Sequence, residues 1–259
     1  MHIARKRFGQ NFLHDRYVVQ ACLDAIHPRS DEVLVEIGPG LGALTQPLLQ
    51  RIPHLQVIEI DRDLIARLRQ TFAPTQLSIH EGDALKFEFA TLGNDLRIVG
   101  NLPYNISTPL LFHLADYTPQ IRDMHFMLQK EVVERMAAAP SSAAYGRLSV
   151  MLQYQFDVES LFDVAPDAFQ PAPKVTSSFV RLSPRRPLPH YAQDSAIFAK
   201  IVLAAFSARR KTLRNTLKPY LTEQDFAALG IDPGLRAENL DVAAFVSIAN
   251  YARARCEPA

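Results

Sequence analysis

Asn101-Leu102-Pro103-Tyr104 places an amide, a proline-stiffened backbone and an aromatic ring side by side. The apolar run Leu96 to Val99 reads as a strand ending at Gly100, and Ser107 and Thr108 can cap a helix that starts near Pro109. Such a constellation can hold a flat aromatic amine. The exocyclic nitrogen of a purine is a poor nucleophile because its lone pair is delocalised into the ring. If the Asn101 side-chain oxygen and the Leu102 or Pro103 carbonyl accept its two N–H bonds, the nitrogen is pushed toward a tetrahedral geometry with an exposed lone pair, while Tyr104 stacks on the ring. Placement and fixed acceptors then replace a strong base. An ordinary turn uses the same residue types, so the rest of the chain has to decide.

The element that must lie beside this tetrapeptide is found upstream. Val33 to Ile37 reads as a buried strand, Gly38-Pro39-Gly40-Leu41-Gly42 as a turn, and a helical pattern follows through Leu49. Strand, glycine turn and helix open a doubly wound sheet, with helix N–H groups available to a ligand. With Ala43 the segment also fits the dinucleotide pattern G-x-G-x-x-A, and Glu59 stands where a ribose-binding acid is expected. Glu36 weighs against a pyrophosphate, because a carboxylate just before the loop would repel it. It suits a positively charged ligand, and S-adenosylmethionine carries both a sulfonium and an ammonium.

The next units repeat the layout. Leu55 to Ile60 is a predicted strand and Leu64 to Phe72 a helix; Leu77 to His80 is a third strand, followed by Gly82-Asp83-Ala84. Glu59 is expected to grip both ribose hydroxyls, and Asp83 to accept from the adenine amino group of the cofactor; a solvated strand end or a helix cap is the plainer role of either acid. Met124 to Leu128 is a fifth strand, with a helix over Lys130 to Ala138, and Ala144-Tyr145-Gly146-Arg147 leads into a further helix through about Gln155. Val158 to Val164 and Val175 to Leu182 complete the sheet as its antiparallel end. Between them, Phe169-Gln170-Pro171-Ala172-Pro173 precludes a helix; Phe169 is either core or the second face of a base sandwich opposite Tyr104.

Ser183 to Pro189 reads as a linker, after which the pattern turns helical: Ile197 to Phe206, Arg209 to Leu217, Glu223 to Leu229 and Val242 to Ala254. The predicted organisation is a domain over 1–186, with a basic arm at 1–14, and a small helical domain over 187–259. Arg210, Arg214 and Lys218 are spaced by four and are expected on one helix face.

Composition bounds the possibilities. The 259 residues are 48% hydrophobic and 21% charged, with a net charge of +1 that conceals three blocks. Residues 1–30 carry five Lys/Arg against two Asp/Glu, residues 31–184 twelve against eighteen, and residues 185–259 eleven against seven. Basic ends around an acidic middle point to nucleic-acid contact. Cys22 and Cys256 have no partner spacing for zinc, redox chemistry or a disulfide framework, so no metal site is expected. No apolar run approaches the roughly 20 residues of a membrane span, and the start of the chain lacks the apolar core of a signal peptide. A monomeric cytoplasmic protein is expected.

Taken together, these residues resemble the ribosomal RNA adenine dimethyltransferases, and within them the bacterial members that act on the small subunit. The resemblance rests on Phe8-Gly9-Gln10-Asn11-Phe12-Leu13, Glu36-Ile37-Gly38-Pro39-Gly40, Asn101-Leu102-Pro103-Tyr104, Ala144-Tyr145-Gly146-Arg147-Leu148-Ser149, Pro173-Lys174-Val175 and Arg209-Arg210-Lys211-Thr212-Leu213-Arg214-Asn215, in that order. It implies an α/β fold with a doubly wound Rossmann-like methyltransferase sheet and a small helical C-terminal domain. It implies a cofactor set of Asn11, Leu13, Gly38, Glu59, Asp83 and Asn101, the arm folding back onto S-adenosylmethionine. It implies dimethylation of two adjacent adenosines near the 3′ end of small-subunit ribosomal RNA within a precursor subunit, releasing S-adenosylhomocysteine. RNA contacts are expected from Arg5, Lys6, Arg7, Arg209, Arg210, Lys211, Arg214 and Lys218. The alternatives are a ribosome-assembly factor whose binding outweighs its catalysis, a large-subunit adenine dimethyltransferase, and a nicotinamide dehydrogenase. The last is weakened by the lack of a hydride-handling His or Tyr–Lys pair beside the glycine loop.

Overall fold

The structure is a computed structural model and describes residues 10–256; Arg5, Lys6 and Arg7 lie outside the described residues. The first half of the chain alternates strand and helix: β1 (Phe12–Leu13), α1 (Arg16–Ile26), β2 (Leu34–Ile37), α2 (Thr45–Leu48), β3 (Leu55–Glu59), α3 (Arg62–Thr71), β4 (Leu77–Glu81), β5 (Leu96–Asn101), α4 (Ser107–Ala115) and β6 (Ile121–Gln129). Then come α5 (Lys130–Ala137), α6 (Arg147–Gln155), β7 (Phe156–Val164), β8 (Phe169–Gln170) and β9 (Ser177–Pro184). Four helices follow: α7 (Ser195–Ala205), α8 (Leu213–Thr216), α9 (Glu223–Leu229) and α10 (Val242–Cys256). Helix starts follow their caps. The carboxylates of Asp15, Asp61 and Asp194 accept first-turn N–H groups of α1, α3 and α7, and Gly230 ends α9 in the left-handed conformation.

Seven strands form one sheet in the order β4-β3-β2-β5-β6-β9-β7. β4 through β6 run parallel, and β9 is antiparallel to β6. This is the doubly wound Rossmann-like arrangement expected of the sequence. β2 is buried at all four positions, as a central parallel strand covered on both faces must be. Successive strands leave β2 in opposite directions, toward β3 on one side and β5 on the other. The crevice at that reversal, beyond the carboxyl ends of the strands, is where such sheets bind ligands. It also makes the glycine turn after β2 and Asn101 at the end of β5 neighbours.

Close packing holds β5 there. A Cβ on Gly100 would lie 2.6 Å from the Ile37 carbonyl oxygen, so only glycine fits. At the opposite end of β5, Arg97 is buried and donates to Asp123, Glu32 and the carbonyls of Ile26 and His27. It ties the end of α1 to two strands of the sheet.

The chain forms two compact units. One holds the sheet, up to Val133 together with Asp157–Pro184; the other holds Glu134–Phe156 with the chain from Arg185 onward. The last cut, between Pro184 and Arg185, falls within the expected linker at 183–189, whereas a single division at 186 would separate α6 from the later helices. Val150 and Tyr154, one turn apart on α6, join a core with Phe198, Ile201, Leu213 and Phe245. Tyr154 and Phe198 have ring centroids 4.6 Å apart. Nothing local in α6 tells which core its apolar face covers.

A basic helix face over Arg210, Arg214 and Lys218 is not formed. Only Leu213–Thr216 is helical there, because Thr212 is extended and pairs with Arg236, while Arg210 and Lys218 sit in turns.

Candidate functional site

The crevice encloses about 220 Å³ and is lined by the glycine turn, the ends of β3 and β5, the turn after β4, and residues 10–13. Of the expected site residues, Asn11, Leu13, Gly38, Glu59, Asp83, Asn101, Leu102, Pro103 and Tyr104 all border it, and Phe169 does not.

Glu36 is 2% exposed and its Oε2 accepts from Thr45 Oγ1 at 2.6 Å. Burial pushes its carboxyl up to about 7; the Thr45 bond opposes this and the charge of Glu59 adds to it. Glu59 is also buried, and its pKa is raised by burial against the pull of backbone N–H donors. Its Oε1 accepts from Ile60 N at 2.8 Å and Asp61 N at 2.9 Å, while Oε2 is 3.4 Å from Gly40 N. Two donors fill the lone-pair directions of Oε1. The expectation that both oxygens grip hydroxyls narrows to Oε2. Asp83 caps the short turn Ala84–Lys86 through Leu85 N at 3.0 Å, so the cap role is realised on a residue that also faces the crevice.

Asn101 Nδ2 donates to the Asn11 carbonyl at 2.8 Å. With the amide nitrogen turned to the arm, Oδ1 is the end offered to the crevice. Of the two carbonyls considered as its companion acceptor, that of Pro103 accepts from Ile106 N at 3.2 Å, which leaves Leu102 as the better candidate. Leu102 is 1% exposed and borders the crevice, so it anchors the turn. Tyr104 is fixed at its tip by Ser177 Oγ at 2.7 Å, and partial burial raises its hydroxyl pKa.

Further contacts seat the arm. Gln10 Nε2 donates to Asp61 Oδ2 at 3.2 Å, Phe12 lies against Gly40, and Leu13 pairs across the two-stranded β1–β8 ladder with Phe169. Phe169 is 1% exposed and packs in the sheet core with Leu13, Val99 and Phe179. The second face of a base sandwich is therefore not what this side chain forms here; the β1 pairing holds it in the core. Sequence reasoning missed Thr45, Ser177 and Ile60. Ile60 stands 48% exposed at the crevice between Glu59 and Asp61, an apolar wall whose only signal was its place at a strand end.

In the helical unit, Arg209 Nη2 donates to Ala143 O at 2.9 Å and Arg214 Nε is 2.6 Å from Glu223. Arg210, Lys211 and Lys218 are exposed. Among the described residues no His/Cys/Asp/Glu group is arranged to hold a metal, and no helix is long and apolar enough to cross a membrane.

Residues 1–254 match the family model described as Ribosomal RNA adenine dimethylase. A curated protein of Aromatoleum aromaticum called Ribosomal RNA small subunit methyltransferase A is 63% identical over 254 residues, covering 98% of this chain and 96% of that protein. One of the same name from Thiobacillus denitrificans is 62% identical over 255 residues, covering 98% and 100%. Among solved structures, a dimethyladenosine transferase from Plasmodium falciparum matches with a TM-score of 0.78 at 26% identity, over 92% of this chain and 95% of that one. The 23S rRNA methyltransferase ErmE matches with a TM-score of 0.71 at 22% identity, over 94% and 100%, a likeness of fold. A family model met across nearly the whole chain, and relatives this similar over nearly their whole length, place the chain in the ribosomal RNA adenine dimethylase family.

Proposed function

We propose that the chain is an S-adenosylmethionine-dependent enzyme that dimethylates the exocyclic amines of two adjacent adenosines near the 3′ end of small-subunit ribosomal RNA. Its work belongs to small-subunit assembly in the cytoplasm, on RNA within a precursor particle. The names of relatives above 60% identity favour the small over the large subunit.

The crevice suits this cofactor and not a pyrophosphate. Two buried carboxylates, Glu36 and Glu59, would repel phosphate and attract a sulfonium or ammonium. Glu59 Oε2 is placed for a ribose hydroxyl, Asp83 for an adenine amine, and Ile60 for the flat face of that ring. When bound, S-adenosylmethionine supplies an electrophilic methyl on a positively charged sulfur.

The chain's own residues then act on the RNA. A target adenosine turned out of its stack costs a few kcal/mol, of which stacking on Tyr104 can return about 1–3 kcal/mol. Ser177 holds the Tyr104 ring in place for this. Asn101 Oδ1 and the Leu102 carbonyl accept hydrogen bonds from the two amine N–H groups and direct the nitrogen lone pair; the nitrogen that gains a methyl releases one proton to solvent. After one transfer a monomethylamine keeps one N–H, which a single acceptor can hold through the second round.

The observation that carries this reading is the Asn101 amide, its nitrogen fixed to the Asn11 carbonyl beside a crevice containing Glu36 and Glu59. Asn101→Ala removes a preorganised acceptor, and the expected result is a fall in methyl transfer to precursor subunits of about 10²-fold or more, with cofactor affinity much less affected. Full transfer by this variant, measured with labelled donor, would dismiss the role.

A further inference from the structure

A second recess lies wholly within the helical unit. It encloses about 380 Å³ between the turn at residues 143–146, the start of α6, and the segment from Phe206 to Lys211. Arg135, Arg147, Arg209 and Lys211 line it, with Glu238 as the one acid among the lining residues, so the formal charge of the wall is four cations less one anion, or +3.

Two features make this more than a charged surface. First, α6 begins here. Gly146 at its N-cap has no side chain to satisfy the first-turn N–H groups, and its own N–H goes to Ser149 Oγ at 3.0 Å. The backbone at Gly146 is extended, and an added Cβ would meet no atom within 4 Å. Packing therefore does not require glycine; its effect is to leave the mouth of the helix open into the recess. Second, Phe206 stands on the wall and is held between Tyr145, at 6.3 Å and 62°, and Phe245, at 5.7 Å. Partly exposed and braced from two sides, it offers a ring face for stacking.

We infer that this recess binds one nucleoside monophosphate unit, its phosphate at the α6 N-terminus with Arg147 and Lys211, and its base against Phe206. The same chemistry is presented by an unpaired nucleotide of an RNA strand and by a free nucleotide. The inference goes beyond the catalytic reading and does not depend on it, because its test involves no methyl transfer.

The full chain, saturated with S-adenosylhomocysteine to occupy the crevice, would be titrated by calorimetry with uridine monophosphate, uridine, inorganic phosphate and a uridine pentanucleotide. A pyrimidine avoids any site built for adenine. The expected result is that uridine and phosphate each bind at least tenfold more weakly than the monophosphate. Arg147→Gln and Lys211→Gln should each weaken the monophosphate severalfold, and Phe206→Leu should weaken the monophosphate but not phosphate. Gly146→Ser is the sharper variant: its hydroxyl caps α6, so thermal stability holds or rises while nucleotide binding falls. A pentanucleotide that binds more tightly with the same sensitivities identifies an RNA strand as the source; no gain over the monophosphate identifies a free nucleotide, and both support the site. Undetectable binding at millimolar monophosphate, indifference to Arg147→Gln and Gly146→Ser, or equal binding of phosphate and monophosphate would overturn it.

Discussion

Glu36 couples the crevice to protons. Its carboxyl, pushed up to about 7 chiefly by burial, holds a proton more tightly in the folded chain than at its ordinary value of 4.5. The sign follows: below pH 4.5 the group is neutral in both states and neutral in its effect. Between 4.5 and 7 the folded state loses stability as pH rises, and above 7 the ionised group costs about 3 kcal/mol. A positively charged ligand recovers that cost by preferring the ionised form. Two results are expected. Affinity for S-adenosylmethionine should weaken about tenfold for each pH unit below 7. Glu36→Gln should flatten that dependence and weaken binding at pH 8, yet raise the Tm of the unliganded chain there by roughly 5 °C or more, with no rise at pH 4.5. Calorimetric titration across pH and thermal scans at the two ends check both, and a variant that loses affinity and stability together would contradict the assignment.

At the scale of elements, β5 is what delivers Asn101, and its placement rests on Gly100. Gly100→Ala sets a methyl 2.6 Å from the Ile37 carbonyl, so β5 must shift away from β2, carrying Asn101 with it. A loss of about 1–3 kcal/mol in urea unfolding is expected, together with a fall in kcat out of proportion to any change in KM. Arg97→Met acts at the other end of the strand. It takes Arg97 from Glu32, which keeps Arg122 at 2.6 Å, and from Asp123, whose side chain is 17% exposed, and should cost about 1–3 kcal/mol without a specific effect on transfer. The repeated strand-turn-helix units were legible in the sequence because their periodicity and caps are local, and with them came Glu36, Glu59, Asp83 and the Asn101 turn. The β1–β8 ladder was not, since two-residue strands carry no period and their pairing is a property of the folded sheet. Asn11 and Leu13 were reached through family resemblance alone. Phe169 could be read as core or as a stacking face, and only its pairing with Leu13 separates the two. The helix proposed for Arg210, Arg214 and Lys218 failed because spacing by four does not reveal that Thr212 is drawn into a bridge with Arg236.

Across the whole molecule, charge is divided between an acidic middle and basic ends, so affinity for RNA should come from a minority of residues and depend steeply on salt. The ion pairs distinguish members of the basic segment that look alike in sequence. Arg214 is held by Glu223 at 2.6 Å, both side chains being 60% exposed, so a phosphate must compete with an existing partner. Arg210 and Lys218 are exposed in turns, and neither forms an ion pair among the described residues. Arg210→Gln and Lys218→Gln should each reduce the slope of log affinity against log salt by about 0.7–0.9, the value of one released counterion. Arg214→Gln should reduce it by less. Glu223→Gln should move it the other way, because it frees the Arg214 guanidinium for phosphate. Filter binding of the four variants to precursor small-subunit RNA over a salt series measures all of these slopes. Equal losses for Arg210 and Arg214, with no gain from Glu223→Gln, would mean that the surface pairs have no bearing on which cations meet the RNA.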